Sequence, residues 1–142
     1  MPEAERFSFV EMRPYLGEAS RLPFLPITLS LRGRSISVSG LLDTGSAVNV
    51  LPYDVGLQLG AVWEQQEIPV RLSGSLAGEE ARALVLSAVV KGFPSVRLAF
   101  AWTRSNVVPV VLGQINFFLE FDVCFFRARS MFEVRPRVPS QR

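Results

Sequence analysis

From Phe24 to Gly113 the chain is cut at short intervals by glycine, proline or small polar residues, and many of the pieces between alternate apolar with polar side chains. A period of two is what a strand with one buried face requires, and pieces this short cannot build long helices. Phe24 to Leu31 alternates, Arg32-Gly33-Arg34 offers a turn, and Ser35 to Ser39 alternates again, which predicts a β-hairpin. Leu41-Leu42 then runs into the polar stretch Asp43-Thr44-Gly45-Ser46, and strand character resumes at Val48 to Leu51. Residues 53 to 60 suit one or two helical turns. Strands are expected at Ile68 to Leu72 and Ala81 to Val90 on either side of a small-residue tip, at Val96 to Trp102 and at Val107 to Leu112. A short helix fits Ile115 to Leu119, and closing strands fit Val123 to Phe126 and Met131 to Val134. Many short strands at close turn spacing predict an all-β barrel or sandwich. No internal repeat is present.

At 142 residues the chain has the size of one domain, and with 49% hydrophobic and 20% charged residues it can bury a core. Residues 1 to 21, interrupted by Pro14 and Gly17, read as an N-terminal arm or lead-in. Residues 22 to 134 read as the folded domain, and residues 135 to 142, with Arg135, Pro136 and Arg137, as a basic tail. The apolar stretches are broken by Pro109, Gly113, Glu120 and Asp122 well short of the roughly 20 residues of a membrane helix, so no membrane span is expected. Met1 to Arg6 is acidic and polar where a secretory leader would be basic and then apolar. The lone Cys124 permits a reducing compartment, and a cytoplasmic location is expected.

The chain has no histidine, which removes Ser-His-Asp and Cys-His nucleophilic sites and histidine-ligated zinc. No metal and no cofactor is expected. The net charge of +2 comes from arginines scattered along the chain rather than clustered among aromatics, so nucleic acid is not an expected partner. Chemistry must then run on carboxylates, hydroxyls, lysine, arginine or one thiol.

Leu41-Leu42-Asp43-Thr44-Gly45-Ser46 is physically unusual because a strand that wants burial delivers a carboxylate. Gly45 permits a tight turn and close approach of a second chain, while the Thr44 and Ser46 hydroxyls and the loop N–H groups can hydrogen-bond around the acid. Asp, Thr, Gly and Ser are also ordinary turn formers, so the loop alone is compatible with a plain strand junction.

The motif resembles that of the aspartic peptidases, and specifically the single-domain retropepsin-like group. Three further features match in order: Asn49-Val50-Leu51-Pro52 after the loop; residues 68 to 85 as a flap hairpin with a glycine-containing tip; and Val110-Val111-Leu112-Gly113 as the apolar-apolar-Gly element, followed by a short helix at about Gln114 to Leu119. The resemblance covers residues 22 to 134. It implies an all-β acid-protease barrel with one short helix, forming one lobe of the enzyme per chain. It further implies catalytic roles for Asp43, Thr44 and Gly45. Substrate-binding roles fall on Ser46, on Leu72, Ser73, Gly74, Ser75, Leu76, Ala77 and Gly78 of the flap, and on Val110, Leu112 and Gly113. The acidic and arginine pair that braces the loop in retroviral members is replaced here by Ala47, Val48 and Gln114, which aligns the chain with cellular or bacterial relatives and requires another brace.

Only Asp43 among the three aspartates, Asp43, Asp54 and Asp122, stands in an Asp-Thr-Gly setting. The mechanism implied by the resemblance needs two carboxylates sharing a proton, so a homodimer is the expected assembly and peptides or proteins the expected substrates. Self-processing within residues 1 to 25 is one possible outcome. A catalytically silent dimerisation or peptide-binding module on the same fold is the alternative.

Overall fold

The computed structural model describes residues 4–11 and 20–137. The predicted lead-in and basic tail fall outside the described residues over 1–3, 12–19 and 138–142.

Strands β1 (Glu5–Ser8), β2 (Val10–Glu11) and β3 (Arg21–Leu22) precede the predicted hairpin, which is β4 (Phe24–Leu31) paired antiparallel with β5 (Arg34–Leu42), Phe24 opposite Leu41 and Leu31 opposite Arg34. Its two turn residues, Arg32 and Gly33, both have positive φ, at 48° and 86°. That is the turn whose twist matches a two-residue hairpin.

Next come β6 (Asn49–Leu51), α1 (Tyr53–Gln58), β7 (Ala81–Val89), β8 (Val96–Thr103) and β9 (Val110–Leu112). The barrel closes in the order β4-β5-β9-β6-β8-β7, with β7 returning to β4. β9 therefore inserts between β5 and β6, parallel to the first and antiparallel to the second. The loop from β5 to β6 must arch over the end of β9, and this fixes where Asp43 can be.

Helix α2 (Phe117–Glu120) runs directly into β10 (Phe121–Phe126), which pairs with β11 (Met131–Pro136). β11 also pairs with β1, giving a second sheet ordered β1-β11-β10. Residues 5–8, read from sequence as part of the lead-in, thus lie in that sheet, with Phe7 stacked on Phe132 at 5.3 Å.

The barrel interior is filled by Trp102, Phe100, Leu25, Leu29, Leu51 and Leu112, continuous with Phe117, Phe121 and Phe132 beneath the second sheet. Gly56 of α1 sits against the Trp102 ring where a Cβ would collide with it, and the Trp102 indole N–H donates to the Tyr53 carbonyl at 3.1 Å. A second apolar cluster, Val50, Leu72, Ala81, Ala101 and Val111, lies on the opposite side of β6 and β9.

The all-β barrel is as expected, with two short helices instead of one. Three boundaries differ from the sequence reading. The first flap arm is not a continuous strand: it meets β7 through one bridge, Pro69 to Arg82, flanked by Val70 N–H to Ala81 O at 2.9 Å and Ala83 N–H to Ile68 O at 2.8 Å. Pro69 has no N–H to extend that ladder. The strand expected from Val107 begins at Val110, just after Pro109, for the same reason. The helix expected from Ile115 starts at Phe117, because the Ile115 backbone is paired with Val48 through its N–H to Ala47 O and its carbonyl to Asn49 N–H.

Candidate active site

Asp43 is the first residue after β5 and is half-buried. Its own N–H donates to the Leu112 carbonyl at 3.0 Å, which continues the β5–β9 pairing to the last residue before the turn. The loop closes with Ser46 N–H to Asp43 O at 3.1 Å, and the Gly45 N–H donates to the Asp43 carboxylate Oδ1 at 2.9 Å. A Cβ on Gly45 would lie 3.3 Å from that same oxygen, so glycine lets the backbone donor come this close. The Ser46 hydroxyl, expected at the carboxylate, instead donates to Val48 O at 2.7 Å and stiffens the loop from within.

Three residues from the later part of the chain hold the loop from behind. Gly113 packs against the Val48 and Ser46 carbonyls in a space that no Cβ could enter. Its N–H donates to the side-chain oxygen of the fully buried Asn49 at 2.8 Å. Asn49 in turn donates to Ala99 O at 3.0 Å and to the Asn116 side-chain oxygen at 3.2 Å, while Asn116 accepts from Ala99 N–H and donates to Arg97 O. The Gln114 amide donates to Thr44 O at 2.8 Å, and Gln114 N–H and Ile115 N–H reach Ser46 O and Ala47 O at 2.9 Å each. Neutral amides do the bracing for which the sequence offered no charged pair.

The loop lines a cavity of about 360 Å³ together with the 3-10 turn over Gly74–Leu76, the segment expected to form a flap tip. Ser46, Ser73, Gly74, Ser75 and Leu76, five of the residues read as substrate-binding, line it together with Asp43 and Gly45. Among the described residues Asp43 is the only ionisable side chain on its wall. The rest of the lining is Leu41, Val50, Val108, Pro109 and Val111, so one acid is surrounded by apolar side chains and three serines.

Other expected site residues stand elsewhere. Val110 and Leu112 point into the barrel core, and the cavity-facing residue of β9 is Val111. Alternation along a strand dictates this: once Leu112 is inward, its neighbour must face out. Leu72 belongs to the second apolar cluster, and it lines, with Ala77 and Gly78, a separate cavity of about 570 Å³ beside Arg71 and Glu79. Gly113 is buried behind the loop, and Thr44 is exposed at its tip, meeting Gln114 through its carbonyl. The sequence reading passed over Val50, Val111, Val108 and Pro109, and also the amide network of Asn49, Gln114 and Asn116. The period-two rule could have found Val111, whereas nothing local marks a buried asparagine.

Among the described residues no group of three acidic or thiol side chains is placed to hold a metal ion, and no helix is long and apolar enough to cross a membrane.

No protein-family model and no curated protein matches the sequence. Solved structures do. A retropepsin-like aspartic protease from Rickettsia conorii superposes with a TM-score of 0.62 over 93% of this chain and 91% of its own, at 15% identity. This chain has the retropepsin-like fold. The EIAV protease, solved with the inhibitor HBY-793, matches 66% of the chain and 82% of its own at a TM-score of 0.50 and 16% identity. The retropepsin-like fold is therefore carried by a sequence far from both neighbours, and residue roles must be judged from the site itself.

Proposed function

We propose that the protein is an aspartic endopeptidase whose active site forms when two copies bring their Asp43 carboxylates together. The reading is carried by Asp43, a strand-delivered acid on a loop held by backbone and amide hydrogen bonds and, among the described residues, the one ionisable group in a cavity shared with a glycine-containing turn. The peptidase unit is residues 22–134. The unpaired Cys124 suits a reducing, cytoplasmic setting.

With one carboxylate ionised and its partner protonated, the first takes a proton from a water molecule whose oxygen attacks the peptide carbonyl carbon. The second gives its proton to the carbonyl oxygen. Collapse of the tetrahedral diol breaks the C–N bond as the amine takes the proton now held by the first carboxyl and a diol hydroxyl returns a proton to the second, and no covalent enzyme intermediate forms. Peptides bind extended, with apolar side chains against Val50, Leu76, Val108 and Val111 and backbone hydrogen bonds to the flap.

Asp43→Asn tests this directly. The variant should fold as the parent does and lose cleavage of denatured protein and of apolar peptide libraries. Equal turnover by both proteins removes the peptidase reading. Binding without turnover by the parent leaves a peptide-binding module. Intact-mass analysis of aged protein tests self-processing, which predicts cuts confined to residues 1 to 25.

A further inference from the structure

The loop between β8 and β9, residues 104 to 109, supplies two residues of the cavity wall, Val108 and Pro109. We propose that Asn106, which does not line the cavity, is a positioning residue that sets which apolar side chains the cavity accepts, by fastening this loop to the first turn of α1. The role rests on the peptide cleft proposed above and deepens it by naming a determinant of its selectivity outside the wall.

The fastening begins with a need of the helix. The first N–H groups of an α-helix have no acceptor within it. Pro52, at the N-cap of α1, has no side-chain acceptor to offer. The loop provides acceptors instead: the Tyr53 N–H donates to the Ser105 carbonyl at 3.1 Å, and the Asp54 N–H donates to the Asn106 side-chain oxygen at 2.9 Å. Two bonds to successive residues fix both where the loop lies and how it is turned. Within the loop, the Ser105 N–H donates to the hydroxyl of the buried Thr103 at 3.2 Å, and the Val107 N–H donates to the Ser105 hydroxyl at 3.2 Å.

Helix α1 is a firm anchor. Gly56 fits against the Trp102 ring with no room for a Cβ, the fully buried Trp102 donates to the Tyr53 carbonyl, and the Tyr53 ring stacks on it at 5.6 Å. A loop tied to Tyr53 and Asp54 is thereby tied to the barrel core.

Packing does not replace the bond at this end of the wall. Val107, next to Asn106, is 91% exposed, and Asn106 itself is exposed. At the other end Val108 packs against the second apolar cluster, and Pro109 leads into β9, with its own φ fixed and Val108 held extended before it. The wall is thus a span of three residues, Val107 to Pro109, fastened by Asn106 on one side and by Val110 of β9 on the other. Without the Asn106 acceptor one end of the span is released, while the Asp43 loop keeps every tie described above. Side-chain acceptance then loosens with the acid undisturbed. The wall meets a peptide side chain in the ground state and the transition state alike, so the effect falls on KM.

Asn106→Ala removes the acceptor, and Asn106→Asp keeps one in a residue type that caps helices as well as asparagine does. Both are made in the full chain and read against apolar peptides that differ in side-chain size at the cut, with circular dichroism and urea midpoints checking the fold. Asn106→Ala should reduce discrimination between small and bulky side chains roughly fivefold, about what one hydrogen bond supplies, through KM and with kcat within about twofold of the parent. Asn106→Asp should keep the parent's profile. In a Val108→Ala background, where the wall side chain is gone, Asn106→Ala should change the profile no further. A parent profile retained by Asn106→Ala, equal loosening by both substitutions, or one uniform fall in kcat over all peptides overturns the role while leaving the peptidase reading intact. Should the parent cut nothing, the peptidase reading fails by itself, and the same variants are compared by fluorescence anisotropy of the labelled peptides. Relaxed selectivity in Asn106→Ala alone then supports the positioning role, and unchanged selectivity, or no binding by the parent, overturns it.

Discussion

The side-chain amide of Gln114 donates to the backbone carbonyl of Thr44 at 2.8 Å, tying the residue after the buried Gly113 to the residue after the candidate catalytic acid. The bond runs between segments far apart in sequence that meet only because β9 is inserted between β5 and β6. Gln114→Ala removes the donor, and Gln114→Glu replaces it with an acceptor facing an acceptor. Both should lose about 1 kcal/mol of stability or less, since the bond is exposed, but should reduce kcat/KM by roughly tenfold through a looser acid. Parallel urea melts and peptide kinetics separate the two effects, and unchanged kinetics in both variants removes the bracing role.

Asn49 is fully buried and serves Gly113, Ala99 and Asn116 together. Asn49→Ala strands the Gly113 N–H without a partner and should destabilise the fold by roughly 2–3 kcal/mol. Asn49→Asp keeps the acceptor for Gly113 but loses the donor to Ala99, and it buries a charge. It should be at least as harmful. The urea midpoint, at constant slope, is the measurement.

Gly113→Ala asks whether the backbone behind the loop can yield. The new methyl would meet the Val48 and Ser46 carbonyls, which are main chain and cannot rotate aside. Loss of soluble protein, or of about 3 kcal/mol or more, is expected. A near-neutral result would mean that the loop shifts easily and is not held as described.

Adjacent residues of β9 should give opposite phenotypes. Leu112→Ala opens the barrel core and should cost about 2–5 kcal/mol with little change in which peptides are cut. Val111→Leu projects into the cavity and should narrow side-chain acceptance, with a stability change under roughly 1.5 kcal/mol. Thermal melts set beside cleavage profiles of a peptide library check the contrast.

Much of this was legible because strands announce themselves by alternation and turns by glycine. The Phe24–Leu31 and Arg34–Leu42 hairpin, its Arg32-Gly33 turn and the exit of Asp43 from an apolar strand all follow from local rules. The neighbours of that strand do not. β9 joins β5 and β6 through contacts between residues remote in sequence, such as Gly40 with Val110 and Val50 with Val111, and no local period encodes which strand slips between which. The same limit hid the amide network, because Asn49 reads as an ordinary polar residue until Ala99, Gly113 and Asn116 converge on it. The error at Val110 and Leu112 was of another kind: the motif was carried across as a block, and the side that each residue faces was not asked.

The Asp43 turn hangs from the rim of a cylinder with no free seam, and each tie described above reaches it from its own chain. An encounter between copies would therefore find each half already set. Nearly all the entropy lost on joining would be that of two bodies becoming one, with little charged to ordering the turn itself, so affinity in this protein should be governed by contact surface far more than by loop sequence.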